Sequence, residues 1–382
     1  DDHPTCMIDT FSVIDAELLQ PFRDPAGFAA GNLSAADSDQ LLAAAERHGV
    51  AALLAARLAD APPSPFLDRL RDSAREDAVW ELGHRRALLD ALSSLAAAGV
   101  EPVLFKGTAL AYSLYPNPVL RTRGDTDLIV PQHERARVTA ALQGCGFSPA
   151  VATPSYQTSF ARRDPEGAQE LDVHWQINNS EVLSRLFTYQ ELRAEAVSLP
   201  ALAPDALAVS PVHALLLACM HRGSHRHNPY YASGEPHTGG DQLIWLYDLH
   251  LLAESFGEHD WRSFIARADA KGLRGICADG LATAHQCFAT NVPEYAFAAL
   301  QRDDVREPAS DYLGASPARQ LWLDYRALPG IGRKARYLRD LVFPPAALMR
   351  SKFAGERGQL LPLLYARRAV AGAWRRLRGR VI

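Results

Sequence analysis

The chain has 382 residues, 48% of them hydrophobic and 22% charged, which is enough for a sizeable core and too many for a single packed module. Its longest apolar run, at 214–220, falls well short of the roughly 20 residues of a membrane span. Its five cysteines form no CxxC pair, so a transmembrane helix, a disulfide scaffold and a thiolate zinc site are excluded and a cytoplasmic location is expected. The formal net charge of −4 conceals a division: residues 332–382 carry thirteen Lys or Arg against two acids, Asp340 and Glu356, so this segment is +11 and the rest −15.

In chain order, residues 1–98 read as an N-terminal helical region. Leu41, Leu42, Ala45, Val50, Leu53, Leu54 and Leu58 recur at helical spacing after a start signal at Ser38 and Asp39. The pattern resumes from Phe66 through Leu95 and stops at Gly99. It then changes character. Residues 100–105 are a short apolar strand that ends at Lys106-Gly107 and leads into a helix starting at Thr108. A second strand is expected over 125–130, a helix over 134–142, and a hairpin from 156–162 and 169–176 joined at Asp164-Pro165-Glu166-Gly167. Residues 99–200 thus form a small α/β module. Residues 201–330 return to helices at 243–252, 261–270 and 274–288, after a polar loop at 223–240 too long for a simple connection. Residues 331–382 form a basic helical tail, with a helix expected over 360–377.

The chemistry concentrates in the middle module. On a strand, side chains alternate, so Asp125 and Asp127 project to one side roughly 7 Å apart. Two carboxylates so placed repel each other unless a divalent cation lies between them, and Mg²⁺ favours one or two carboxylates with substrate phosphates. Taken alone, such a pair is also what a solvated strand end carries. A second strand adds weight: Glu170, Asp172 and His174 alternate with Leu171, Val173 and Trp175, one face for a core and one for a site, and Asp172 is a third candidate ligand. Gly107 leaves room for a phosphate at a helix N-terminus, where Thr108 adds a hydroxyl and Lys106, Arg121 and Arg123 add positive charge. His174, His221 and Asp248 are further cleft candidates. His221, His225, His227 and His237 lack the accompanying motif of a zinc site, and a polar loop facing the base or the acceptor is the stronger reading. No GxSxG, GxxxxGK[ST] or GxGxxG occurs.

FKGTALAYSLYPNPVLRTRGDTDLIV, a helix ending in GCGF, and ELDVHW, in that order, resemble the bacterial uncharacterised nucleotidyltransferase family of the DNA polymerase β-like superfamily. The resemblance implies an α+β fold: a small mixed sheet flanked by an N-terminal helical region and a C-terminal helical domain. It implies catalytic, metal-binding roles for Asp125, Asp127 and Asp172, a phosphate turn at Gly107 and Thr108, Mg²⁺ or Mn²⁺ as cofactor, and an NTP as substrate. An NMP group would pass to an acceptor hydroxyl or phosphate on a small molecule, a peptide or an RNA end. Two departures stand out: Thr108 replaces the usual Gly or Ser, and the interval from Gly107 to Asp125 is long. Phosphoryl or pyrophosphoryl transfer at the same site and a catalytically inactive nucleotide-binding or interaction module are the alternatives. The basic tail fits RNA, an anionic lipid surface, or the chain's own acidic body.

Overall fold

The computed structural model describes residues 13–150, 156–227, 230–232, 235–237, 240–302, 306–344, 346, 349–350 and 360–368. Its N-terminal layer is helical: α1 (Val13–Arg23), α2 (Ala35–Arg47), α3 (Ala51–Arg57) and the 33-residue α4 (Pro65–Ala97). The start signal for α2 lies four residues earlier than expected. Ser34 caps it, its hydroxyl accepting from the Asp37 amide at 3.2 Å, whereas Ser38 is buried inside the helix. The apolar run from Leu41 to Leu58 is split into α2 and α3 at Gly49, whose φ of 66° ends the first helix.

A seven-stranded mixed sheet follows. β1 (Val103–Phe105) leads into α5 (Lys106–Ser113), and β2 (Asp125–Ile129) into α6 (Arg135–Gly144). β3 (Ser148–Pro149), β4 (Gln157–Asp164) and β5 (Gly167–His174) precede α7 (Tyr189–Ala194), β6 (Val197–Ser198) and β7 (Leu207–Ala208). The strand order is β3-β4-β5-β2-β1-β7-β6, with β2 antiparallel to β1 and parallel to β5. The predicted hairpin is β4–β5, turning between Asp164 and Gly167. Period-2 alternation divides the sheet's two faces: Leu104, Leu128, Val130, Leu171 and Val173 pack with Leu88, Leu95 and Leu142 from α4 and α6. Val103, Phe105 and Ile129 belong instead to the larger core shared with the surrounding helices.

α8 (Pro211–His227), β8 (Tyr230–Ala232), β9 (Glu235–His237), α9 (Leu243–Glu254), α10 (Glu258–Lys271) and α11 (Arg274–Phe288) come next. α12 (Glu294–Leu300), α13 (Pro308–Leu313), α14 (Pro317–Ala327) and α15 (Gly330–Val342) complete the named elements. The expected loop at 223–240 is therefore shorter than its composition indicated. α8 runs through Gly223, where an added Cβ would lie 3.0 Å from Leu313, so close packing rather than a turn accounts for this glycine. Of the helix expected over 360–377, residues 361–368 are helical; Val370 and Trp374 lie outside the described residues.

Candidate active site

The site is assembled from the ends of three adjacent strands and the turn after the first. Parallel pairing sets Asp127 beside Asp172 and Asp125 beside Glu170, while antiparallel pairing sets Phe105 beside Asp127. Cross-strand neighbours point to the same face, so the residues that alternate on paper as Asp125, Asp127, Asp172 and His174 share one face of the sheet. Asp127, Asp172 and His174 offer ligand atoms that all lie within 4.8 Å of one another, the grouping of metal-ligand type found among the described residues. Asp125 stands one pleat further along the same strand. The expected carboxylate trio thus gains an imidazole. Two carboxylates with one imidazole suit a small divalent cation: oxygen donors satisfy Mg²⁺, and the nitrogen is well tolerated by Mn²⁺.

Asp127 is the most constrained of these groups. Its Oδ1 accepts from Lys106 Nζ at 2.6 Å and from His174 Nε2 at 2.8 Å. Burial works against its charge, but Lys106 and His174 prevail and hold its carboxyl well below the usual range. Asp125 has no such partner: burial and the negative charges of Asp127 and Asp172 push it up to about 7. Lys106 is desolvated too, yet Asp127, Asp125 and Asp172 together raise its pKa above the ordinary lysine value. Its backbone lies in the left-handed region, with φ of 59°, an uncommon conformation for a side chain of this size. Asp172 accepts from Gln157 Nε2 at 2.8 Å and from the Ser159 hydroxyl, both on β4.

The cations and the threonine of the Gly107 turn hold other partners as well. α5 begins at Lys106 rather than at Thr108, which is buried. The Thr108 hydroxyl lies 2.7 Å from that of Thr126 and accepts from Arg123 Nε at 2.8 Å. Arg123 reaches Glu81 of α4 at 2.8 Å and sits between the rings of Trp80 and Tyr112. Arg121 forms a fork with Asp248 of α9, at 2.9 Å from Nε to Oδ1 and 2.8 Å from Nη2 to Oδ2, and Tyr115 donates to the same carboxylate at 2.8 Å. Behind the strand, His84 Nε2 meets Thr126 Oγ1 at 2.6 Å and its Nδ1 meets Gln169 Oε1 at 3.0 Å. Burial, aided by Arg123, lowers the His84 pKa to about 3, so this imidazole is neutral.

The acidic face looks across a cleft of about 1310 Å³ to helices α8 and α9. Lys106, Gly107, Asp125, Asp127, Asp172 and His174 line one wall; His221, His225, Trp245 and Asp248 line the other. The His221 and His225 rings lie 4.5 Å apart and each packs on Trp245. Burial, and each other's company, hold His221 far below its ordinary pKa; burial and Lys106 bring His225 to about 4. This volume exceeds the common range for one drug-sized ligand, roughly 300–1,000 Å³.

Sequence reasoning placed His174 in the cleft but did not count it as a ligand, although its position two residues after Asp172 on one strand carried that signal. Glu81, His84, Gln157 and Ser159 were missed. They reach the site through strand register and the crossing of α4, neither of which leaves a local pattern.

A mixed sheet presenting acids beside a glycine turn, opposite a helical wall, makes this an α+β protein with a single cleft-facing acidic cluster among the described residues. A family model described as uncharacterised nucleotidyltransferase matches residues 34–289, and the chain belongs to that family. No curated protein matches the sequence.

Proposed function

We propose that the chain is a metal-dependent nucleotidyltransferase that moves an NMP group from an NTP to an acceptor hydroxyl or phosphate, releasing pyrophosphate. The observation that carries this reading is the pairing of Asp127 with Asp172 on β2 and β5, with His174 beside them, facing the cleft at the Gly107 turn. Asp127, Asp172 and His174 would hold Mg²⁺ or Mn²⁺, with Asp125 supplying a further carboxylate from the same face. A divalent cation there supplies positive charge to the phosphate oxygens.

The chain's own groups do the rest. Gly107 has no side chain to obstruct a phosphate, and the first turn of α5 presents backbone N–H groups and the positive end of its dipole. Lys106 adds a fixed positive charge close to the reacting phosphate, where a low-dielectric site makes it most effective. Arg121 and Arg123 act at one remove: bound to Asp248 and Glu81, they shape the turn and add positive potential. His221, neutral and on the wall opposite the acids, would offer a ring nitrogen as a hydrogen-bond partner for the acceptor.

The test is incubation with each α-labelled NTP and Mg²⁺ or Mn²⁺ in a lysate, followed by identification of the labelled product. Transfer of the α label is the expected result, and Asp127→Asn or Asp172→Asn should lower it on the order of a thousandfold. In a parallel incubation with γ-labelled NTPs, transfer of that label without the α label would identify a kinase-like enzyme, and α transfer undiminished in both variants would overturn the site.

A further inference from the structure

We propose that α15 docks the protein onto an anionic lipid surface. Ile331, Ala335, Leu338 and Val342 recur at intervals of four, three and four residues, which at 3.6 residues per turn makes a single stripe, with Leu341 beside it. A different face of the helix meets the body. Lys334 Nζ lies 5.3 Å from the centre of the Tyr325 ring of α14, and Tyr337 Oη donates to the Leu321 carbonyl at 3.5 Å. The apolar stripe is thereby turned outward: Ile331 is 88% exposed, Val342 57% and Leu338 46%. Phe343 and, on the neighbouring segment, Leu360 and Leu363 are exposed too, and that segment is tied to the end of α15 by the Phe343 and Tyr365 rings, 5.8 Å apart.

The polar part of α15 is cationic. Arg333, Arg336 and Arg339 are all exposed, Arg339 pairing with Asp340 at 2.6 Å, within a segment from Gly332 to Ile382 whose charge is +11. An exposed apolar stripe edged by arginines matches the boundary between acyl chains and anionic headgroups, where both halves of the helix are satisfied. RNA would use the arginines but not the stripe, and Tyr337, the one aromatic residue of α15, is turned to α14 rather than offered for stacking. A second copy packed stripe against stripe would bring one +11 segment against another. Thirteen residues are too few to span a bilayer, so the helix would lie in the plane of the surface.

The experiment is sedimentation of the full chain with vesicles of phosphatidylcholine alone and with about 30% phosphatidylglycerol added, a charge density typical of anionic leaflets. Binding at least about tenfold stronger to the anionic vesicles is expected, lost at high salt as the surface charge is screened. Joint Ile331→Glu and Leu338→Glu should abolish it; joint Arg333→Gln, Arg336→Gln and Arg339→Gln should weaken it on the order of a hundredfold. Both sets replace exposed side chains, so an unchanged melting temperature should accompany the loss. Equal binding to both vesicle types, or full binding by the Ile331→Glu, Leu338→Glu variant, would overturn the proposal. So would an RNA mobility shift or a concentration-dependent dimer that this variant abolishes while vesicles leave the wild type in solution.

Discussion

At the scale of single residues the site is a set of charges that are stable only together. Asp127 keeps its charge because Lys106 and His174 bond to it, and Lys106 keeps its charge because three acids surround it. The left-handed backbone of Lys106 costs on the order of 1–2 kcal/mol for a non-glycine residue, and with it the ammonium stands 2.6 Å from Asp127. Gly107 presents a sharper test. The nearest atoms to a Cβ there would be those of Arg123 and Arg121 at 3.5–3.7 Å, ordinary contact, and its φ is not left-handed. Gly107→Ala should therefore leave stability unchanged or raise it by up to about 1 kcal/mol, since alanine favours helix. On the proposed function, its methyl would stand where a phosphate approaches, and the KM for NTP should rise roughly tenfold or more. Thermal unfolding beside steady-state kinetics separates the two effects. A large fall in melting temperature would show that the glycine serves packing instead.

At the scale of elements, two buried contacts bind helices to the sheet. Gly83 lets the middle of α4 approach the β4–β5 turn: a Cβ there would lie 2.7 Å from Glu166 Cβ, so this glycine in a long helix serves proximity rather than flexibility. The second contact is the Arg121 fork with Asp248, which fastens the segment before β2 to α9 across the cleft wall. Both side chains are almost wholly buried. Removing one partner strands the other charge, so Asp248→Asn should cost about 3 kcal/mol, read from the urea midpoint. Arg121→Met combined with Asp248→Leu should recover much of that loss, because neither charge is then left buried alone. If the double variant were as unstable as the single one, the fork would contribute through geometry that apolar packing cannot replace.

At the scale of the whole molecule, burial of neutral histidine links stability to pH. His84 has its pKa lowered to about 3 by burial and by Arg123, against an unfolded value near 6.5. The unfolded chain therefore binds a proton here that the folded chain refuses. Stability from this group is fully present above pH 6.5 and is lost as pH falls from 6.5 toward 3, with a slope approaching about 1.4 kcal/mol per pH unit. Asp125 acts in the opposite sense, since a raised carboxyl pKa favours the folded state at low pH. The difference between wild type and His84→Gln cancels that opposing term. The wild type should lose stability more steeply, by about one proton's worth, when urea unfolding is followed between pH 6.5 and 4.5; parallel curves would mean that His84 is charged in the folded chain.

Much of this was legible in local patterns, because strand and helix periods are local properties. The small α/β module between helical regions, the β4–β5 hairpin, the shared face of Asp125 and Asp127, and the alternation that sets Asp172 with His174 all follow from residue spacing, and the α+β fold from the resemblance the motifs carry. Family membership, too, is a property of the sequence, matched over residues 34–289. What depends on contact between distant segments was decided by the tertiary structure. Arg121 and Arg123 read as phosphate-binding cations, or as partners of the nearby Asp125 and Asp127, until α9 and α4 supply Asp248 and Glu81, 127 and 42 residues away. Gly223 read as a loop signal until the packing of Leu313 made it an interior helix position. His174 became a candidate ligand through the register of β5 beside β2, which brings its ring nitrogen to Asp127. Spacing determines which face a side chain takes, but only the packing of remote elements determines what waits there to meet it.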